Sequence, residues 1–440
     1  MSNQFKAGAA EVSISPKDSQ FLIGYPHVER WSTGIHDPLL SSSLFLDDGN
    51  TKVLFIANDI IYLNKSQVSH IRSEITRRTD IPQQNIMITA THTHSGPGTV
   101  RPVGWTEESV VPEPDEAYLD FLLQQICDGA CRAAEAAVPA EIGLTEADNT
   151  GIGTNRRDPE GPRNPVVPVL SVRNRETQKP IALMLACSMH PTVLHEDSTL
   201  VSADFPGAAR DYLKQHWADC PVVYHTSPAG NQSPRHVTRE NTFAEAKRIG
   251  EILGRQVELV LPSTAYRTSI ELHARQKLVP LVINPIPETP LAVKQEQEAR
   301  ERWQSMKARG DSPKHTRTAE CDWFGAERRL MLAGLRDAGS FEAEVQLRQP
   351  AEVQLIAAGP WKFISWPGEI FVEYALEVME KEPDAYVIAY ANGEASGYLV
   401  TEEAVKEGGY EAATAMFKSP ESPNLLVEAS LELCRSIRRT

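Results

Sequence analysis

The chain alternates between two patterns of apolar and polar positions, each typical of one kind of secondary structure. Short apolar runs rich in β-branched residues predict buried strands, and longer segments with apolar residues at helical spacing predict helices. The strands are predicted at 43–47, 52–57, 86–90, 140–147, 166–172, 181–188 and 221–226, and the helices at 66–78, 118–137, 205–217 and 242–260. Strands that alternate with helices in this way predict an α/β fold of layered mixed sheets flanked by helices.

The remaining segments extend the pattern towards both ends. Residues 6–16 read as an edge strand closed by a proline, and 425–436 as a final helix. Further strands are predicted at 341–347, 353–358, 361–366 and 385–390. Several prolines after 285 precede a charged helical run at 293–309, which is either a lid or a plain solvated helix. With no internal repeat and no convincing linker, we predict a single domain over 1–440 with a helical excursion or lid at 285–335.

The charge of the chain excludes one class of partner. Asp and Glu outnumber Lys and Arg by 59 to 44, which gives a net charge of -15, whereas binding a phosphate backbone needs clustered cations. The first residues lack the apolar core of a signal peptide, and no apolar run approaches the ~20 residues that cross a bilayer. The six cysteines are scattered, without the spacing of a disulfide framework. We therefore expect a protein that binds no nucleic acid and does not insert stably into a membrane. We expect it to be cytoplasmic, or secreted if a leader has been removed.

Two histidines follow the strand at 86–90, in the stretch Thr91-His92-Thr93-His94-Ser95-Gly96-Pro97-Gly98. In an extended chain successive side chains alternate faces, so both imidazoles are expected on the same side. A pair of imidazoles beside a glycine-bounded loop can hold a metal ion. The alternative is two polar residues that simply leave a strand, and the spacing alone favours neither.

Other predicted strands also deliver polar residues at or beyond their ends. His190, Ser233, Glu369 and Tyr398 each follow an apolar run, and each taken alone has an ordinary structural explanation. Ligand sites of layered α/β proteins gather at strand ends, where such residues can converge. Two histidines, a carboxylate and an open position would make a catalytic zinc site, which activates water and polarises a carbonyl oxygen. The sequence separations do not establish that these residues meet.

The motifs, taken in order, resemble those of the neutral (non-lysosomal) ceramidases and their bacterial relatives. The strongest match is the stretch 91–98, and the likeness extends from residue 8 to residue 412. Weaker matches occur in the family's order at Gly34-Ile35-His36, Asn155-Arg156, Ser202-Ala203-Asp204, Gly230-Asn231-Gln232-Ser233-Pro234, Pro367-Gly368-Glu369 and Gly397-Tyr398.

The resemblance implies one zinc ion and a set of residues around it. Its ligands would be His92, His190, Glu369 and Tyr398. His94 would lie beside the metal and move protons for the attacking water or the leaving amine. Arg156 and Tyr410 would stabilise the oxyanion. Ser233 matches a serine that is important in the family, as nucleophile or as positioning donor, and we favour positioning because zinc-activated water already supplies the nucleophile.

Some features depart from the family. The residues after His190 match only loosely, and the immunoglobulin-like domain that follows the catalytic domain in true ceramidases has no counterpart in this sequence. We therefore predict a zinc-dependent amidohydrolase that cleaves a linear amide in a small-molecule or lipid-like N-acyl substrate, which need not be ceramide. The alternatives are a serine esterase, with Ser233 as nucleophile and His94 or His236 as base, and a non-catalytic ligand-binding relative.

Overall fold

The computed structural model describes residues 4–101, 103 and 110–437. Its strands are β1 Lys6–Ser13, β2 Gly34–Ile35, β3 Leu40–Asp47, β4 Lys52–Asn58, β5 Ile86–Ala90, β6 Val138–Asp148, β7 Thr154–Asn155, β8 Val166–Asn174, β9 Pro180–Cys187, β10 Leu200–Val201, β11 Val222–Thr226, β12 Gln232–Ser233, β13 Leu272–Val279, β14 Ala351–Ala358, β15 Trp361–Ser365, β16 Glu369–Ile370, β17 Ala385–Ile388 and β18 Tyr398–Leu399. Its helices are α1 Lys65–Thr79, α2 Glu116–Glu135, α3 Asp204–His216, α4 Phe243–Val260, α5 Thr289–Arg309, α6 Pro313–Asp337, α7 Phe341–Gln346, α8 Val372–Lys381, α9 Glu402–Glu407, α10 Tyr410–Thr414 and α11 Glu421–Ile437.

Two mixed sheets stack face to face and carry helices on their outer faces. The larger sheet has the strand order β11-β9-β8-β6-β1-β3-β4-β5, and the smaller has the order β13-β14-β15-β17. Alternation along β4 shows why both faces are apolar: Val53 and Phe55 pack between the sheets, whereas Leu54 and Ile56 pack against α1 and α2. The predicted α/β fold of layered mixed sheets flanked by helices is confirmed.

Other helices cover two further surfaces of the sheets. Helices α3 and α4 cover the β8, β9 and β11 end of the large sheet. Helices α6, α8 and α11 contribute to the apolar cluster on the outer face of the small sheet. None of the helices in the described ranges is long and apolar enough to cross a membrane. Helices α5 and α6 confirm the helical character predicted after residue 285, while the single domain and the lid stay predictions.

Two predicted elements are wrong. Strand β1 is not an edge strand, because it pairs with β3 along its whole length and with β6 at Lys6 and Ala7. Residues 341–347 form helix α7 rather than a strand. Their apolar residues alternate, but Phe341 and Val345 also lie four positions apart, and both join the outer cluster of the small sheet. Leu347 remains 64% exposed, so helical spacing decides which residues are buried.

Candidate metal centre

The turn that follows β4 fixes His92 at the end of β5. Ile60 O accepts a hydrogen bond from His92 N at 2.9 Å, and Ile61 O lies 3.1 Å from His92 Nδ1. With Nδ1 donating to a carbonyl, Nε2 is left as the acceptor that binds a metal. Tyr390 stacks on the imidazole at a centroid distance of 4.2 Å. The ring therefore has both its tautomer and its orientation set by the protein.

His92 and His94 converge by a different route from the one expected for an extended chain. His92 has a φ of 68°, so the backbone turns through the left-handed region instead of continuing as a strand. The Nε2 atoms of the two rings lie 3.2 Å apart. Arg30 donates to His94 O at 3.0 Å, and the ring packs on Gly24, where an added Cβ would lie 2.6 Å from His94 Cγ. Glycine at that position makes room for the second histidine.

His190 comes from the opposite end of the same sheet, whose strand order places β9 next to one edge and β5 at the other. It follows β9 and is 1% exposed. Its Nδ1 lies 2.6 Å from Ala229 O, which again leaves Nε2 as the ligand atom. Burial is the main reason why the pKa values of His190 and His94 lie below the ordinary value, and the charge of His92 adds to the effect at His94. Both rings are thus held neutral, which is the form that binds a metal or accepts a proton.

Glu369 and Tyr398 are brought together by the shortest strands of the fold. Strands β16 and β18 pair in parallel, with Glu369 in register with Tyr398. Glu369 Oε2 lies 3.0 Å from His190 Nε2 and 3.5 Å from His92 Nε2, while Oε1 accepts from Tyr62 OH at 2.8 Å. Burial opposes ionisation of Glu369, but the charge of His92 and the hydrogen bond to His190 hold its pKa well below the ordinary value.

The donor set fits a metal ion. The ligand nitrogens of His92, His94 and His190 all lie within 4.8 Å of one another, and the Glu369 carboxylate contacts two of these rings. Imidazole nitrogen and carboxylate oxygen are common zinc ligands. The family resemblance assigns His94 to proton transfer, whereas its position makes it a candidate ligand as well.

Arg156 and Tyr410 lie on the other side of Tyr398. The Arg156 guanidinium is 5.1 Å from the centre of the Tyr398 ring, and the Tyr410 ring is 5.7 Å from it. Glu411 accepts from Arg156 Nε at 2.8 Å. Arg156 NH2 is buried and has no hydrogen-bond acceptor among the described residues, so it remains available to a developing negative charge.

Ser233 is buried but lies among different partners. It is in register with Thr154 in the β12–β7 pair, and its Oγ accepts from Arg235 N at 3.1 Å. His236 Nε2 contacts Arg156 O at 3.2 Å. Within the ranges described, neither His94 nor His236 makes a hydrogen bond with Ser233, so the pairing that a serine esterase needs is not formed in this geometry.

A cavity opens in front of the histidines and has one apolar and one polar wall. The apolar wall includes Ile23, Val100, Val103 and Phe324. The loop 99–116 contributes the two valines, and its residues 102 and 104–109 lie outside the described ranges. Arg328, from helix α6, belongs to the polar wall.

Comparisons with known proteins show which proteins this chain resembles. The family model for neutral/alkaline non-lysosomal ceramidase, N-terminal, matches residues 5–222, which include His92, Arg156 and His190. The chain belongs to a neutral/alkaline ceramidase-like family. His94 of this ceramidase-like chain also lies within the matched segment, whereas the remaining assigned residues lie beyond it: Ser233, Glu369, Tyr398 and Tyr410.

Curated and solved relatives extend the comparison. The chain is 28% identical over 172 residues to the neutral ceramidase of Mycobacterium tuberculosis (strain ATCC 25618 / H37Rv), a match that takes in 36% of this chain and only 25% of that relative. The crystal structure of neutral ceramidase from Pseudomonas aeruginosa matches with a TM-score of 0.75 at 17% identity, over 98% of this chain and 75% of that one. A ceramidase complexed with C2 matches with a TM-score of 0.74 at 15% identity, over 98% of this chain and 76% of that one. These structures establish the fold of the ceramidase-like chain.

Sequence reasoning missed three side chains of the site. Tyr62 holds Glu369 from a turn, Glu411 holds Arg156 from α10, and Arg328 lines the cavity from α6. The first two stand out only in the structure, because each contacts an assigned residue. No sequence signal distinguishes Arg328 from the other arginines of its polar helix.

Proposed function

We propose that this chain is a zinc-dependent hydrolase that cleaves the amide bond of a linear N-acyl substrate. The observation that carries the proposal is that two histidines and a carboxylate converge at the end of one cavity. Glu369 Oε2 lies 3.0 Å from His190 Nε2 and 3.5 Å from His92 Nε2. Tyr398, in register with Glu369, would complete the set of ligands. The substrate is a small-molecule or lipid-like N-acyl compound, in keeping with an apolar cavity wall.

The residues divide the work of hydrolysis between them. A zinc ion bound here would acidify a water molecule and polarise the substrate carbonyl. His94, held neutral, accepts a proton as water attacks the carbonyl carbon and returns it to the nitrogen as the C–N bond breaks. Arg156 NH2 and the Tyr410 hydroxyl stabilise the oxyanion. The products are a carboxylic acid and an amine, and Ser233 acts only by positioning.

The test joins metal analysis to hydrolysis. We expect purified protein to contain about one zinc per chain and to hydrolyse at least one member of a panel of N-acyl compounds, ceramide and short-chain amides included, because the pocket offers a full catalytic ligand set. His92→Ala and His190→Ala should each remove most of the zinc and the activity. His70→Ala is the matched control, since His70 is an exposed residue of helix α1.

Three results would contradict the proposal. Unchanged zinc content and hydrolysis in both ligand variants would show that the site is elsewhere. Activity that survives complete removal of zinc by a chelator would favour the serine esterase. Full zinc occupancy without hydrolysis of any compound would favour a non-catalytic ligand-binding protein.

A further inference from the structure

Arg328 lies in the wall of the cavity as a buried cation without a carboxylate partner. The residue is 9% exposed, and it lines the same cavity as His92 and His94. One terminal nitrogen donates to Ser396 Oγ at 2.5 Å. Its Nε is buried and has no acceptor, and no carboxylate of the described ranges lies within 4.0 Å of its guanidinium nitrogens to form an ion pair. Burying a charge without a partner is costly, so this guanidinium lacks a counter-charge that a ligand could supply.

The nearby acidic residue is already neutralised by another arginine. Glu394 also lines the cavity, but its carboxylate lies 3.0 Å from an Arg348 nitrogen. Arg348 in turn pairs with Glu344 at 2.9 Å. Burial lowers the pKa of Arg328, but an arginine remains protonated in a protein. Glu394 is therefore paired with Arg348, and Arg328 is left without an ion pair of its own among the described residues.

The backbone that carries Arg328 is held firmly against the catalytic residues. At Gly325, one turn earlier in α6, an added Cβ would lie 2.8 Å from Ala413 Cβ and 3.4 Å from Tyr410 Cα. Helix α6 thus packs closely on α10, the helix that begins with Tyr410. The position of the guanidinium is fixed relative to the proposed oxyanion donors, as a specificity group requires.

We propose that Arg328 binds a carboxylate of the substrate, which makes an N-acyl amino acid the preferred class of amide. The inference rests on the proposed hydrolase function and deepens it. Guanidinium and carboxylate form short, charge-assisted hydrogen bonds, and the terminal nitrogen that is not bonded to Ser396 supplies one donor. The apolar wall, with Ile23, Val100 and Phe324, takes the acyl chain. The carboxylate takes no part in the bond that breaks.

Binding is measured first, with ligands that contain no cleavable amide. Octyloxyacetate and 2-octyloxyethanol share the octyl ether chain and differ in the polar end, which is a carboxylate in the first and a hydroxyl in the second. Isothermal titration calorimetry of the purified protein should give a Kd for the carboxylate about 10- to 100-fold lower than that for the neutral alcohol. In Arg328→Gln this ratio should fall to within about threefold. Arg329→Gln is the matched control, because Arg329 is the next residue of α6 and lines a different cavity, and it should keep the wild-type ratio.

A second variant covers the event that Arg328→Gln does not fold, which circular dichroism will show. Arg328→Lys keeps the charge but loses the planar fork, and should reduce the ratio at least about threefold. A ratio near one in the wild-type protein would overturn the inference. So would selectivity that survives the substitution at Arg328, because the carboxylate would then be bound by another group such as the metal.

Hydrolysis separates this inference from the function on which it rests. N-octanoylglycine and N-octanoylglycinamide are offered to the zinc-loaded protein. Hydrolysis of both amides at equal kcat/KM, without selective binding, rejects the role of Arg328 and leaves the hydrolase intact. Selective binding that depends on Arg328, without hydrolysis of any amide, rejects the hydrolase and leaves the carboxylate site. A preference for N-octanoylglycine that is lost with Arg328 supports both.

Discussion

A buried ion pair between Asp59 and Arg210 supports the turn that holds His92, and we expect its loss to be costly. Two guanidinium nitrogens lie 2.9 and 2.5 Å from the two carboxylate oxygens, and the side chains of Arg210 and Asp59 are only 4% and 0% exposed. Leu40 N also donates to Asp59 Oδ2 at 2.8 Å. Asp59 is next to Ile60, whose carbonyl binds the His92 amide. The pair therefore anchors the turn from within the core.

The magnitude follows from this geometry. Two unit charges about 4 Å apart attract by about 4 kcal/mol at an effective dielectric constant of about 20. Removing one partner of a buried pair costs about 3–5 kcal/mol, because the other charge stays buried. We therefore expect Arg210→Met to lower the free energy of unfolding by about 3–5 kcal/mol. Asp59→Asn keeps an acceptor for Leu40 N and should have a similar effect, since it leaves Arg210 without a counter-charge.

Urea unfolding followed by tryptophan fluorescence measures these free energies. In a double-mutant cycle, Asp59→Asn with Arg210→Met should lose about 2–3 kcal/mol less than the sum of the single losses. The control is Arg255→Met, which removes an ion pair whose arginine is 57% exposed and should cost less than about 1 kcal/mol. Additive losses in the cycle would refute the reasoning, because they would show that the two charges do not stabilise each other.

Two further variants test the surroundings of the site. Glu411→Gln should lower the free energy of unfolding by about 1–3 kcal/mol, because Arg156 and Arg157 both donate to this buried carboxylate. Glu407→Gln is the control, since Glu407 is a 58% exposed partner of Arg157. Equal losses of stability in the two variants would contradict this prediction. Burial raises the pKa of Asp204 to about 7, so its stabilising contribution is complete below pH ~4 and is lost as the pH rises to about 7. In thermal scans the Tm of the wild type should accordingly fall relative to that of Asp204→Asn over that pH interval. A difference in Tm that does not vary with pH would show that Asp204 titrates normally.

The pattern of the sequence predicted where polar residues leave the strands, but not how their side chains meet. Parallel pairing of β5 with β4 and of β11 with β9 follows from alternating strands and helices, and the strand-end positions of His92 and His190 follow from it. The left-handed backbone at His92 has no sequence signal, because positive φ is uncommon for every non-glycine residue, even for histidine, which adopts it more often than most. The 3.2 Å approach of His94 depends on that turn.

Glu369 and Tyr398 show the limit of pattern reasoning. Each belongs to a strand of only two residues, which is too short to show a period of two. The strand-end position made Glu369 a candidate carboxylate ligand, but the assignment of both residues came from the resemblance to the ceramidase family. The predictions for residues 341–347 and for strand β1 were wrong for the complementary reason. The local alternation of apolar residues is present in both segments, but tertiary contacts made the first a helix and placed the second inside the sheet.

The left-handed backbone at His92 has a consequence for how this protein can change. His92, Asp204, Tyr390 and Asn392 have φ values of 68°, 58°, 53° and 57°, and a non-glycine residue in this region stores about 1–2 kcal/mol. Glycine at position 92 would release that strain while removing the imidazole. A laboratory selection for thermal stability would gain that energy only by giving up the buried contacts of the imidazole with Tyr390 and Ile61 O, so the packing of the ring protects the metal ligand against such a selection.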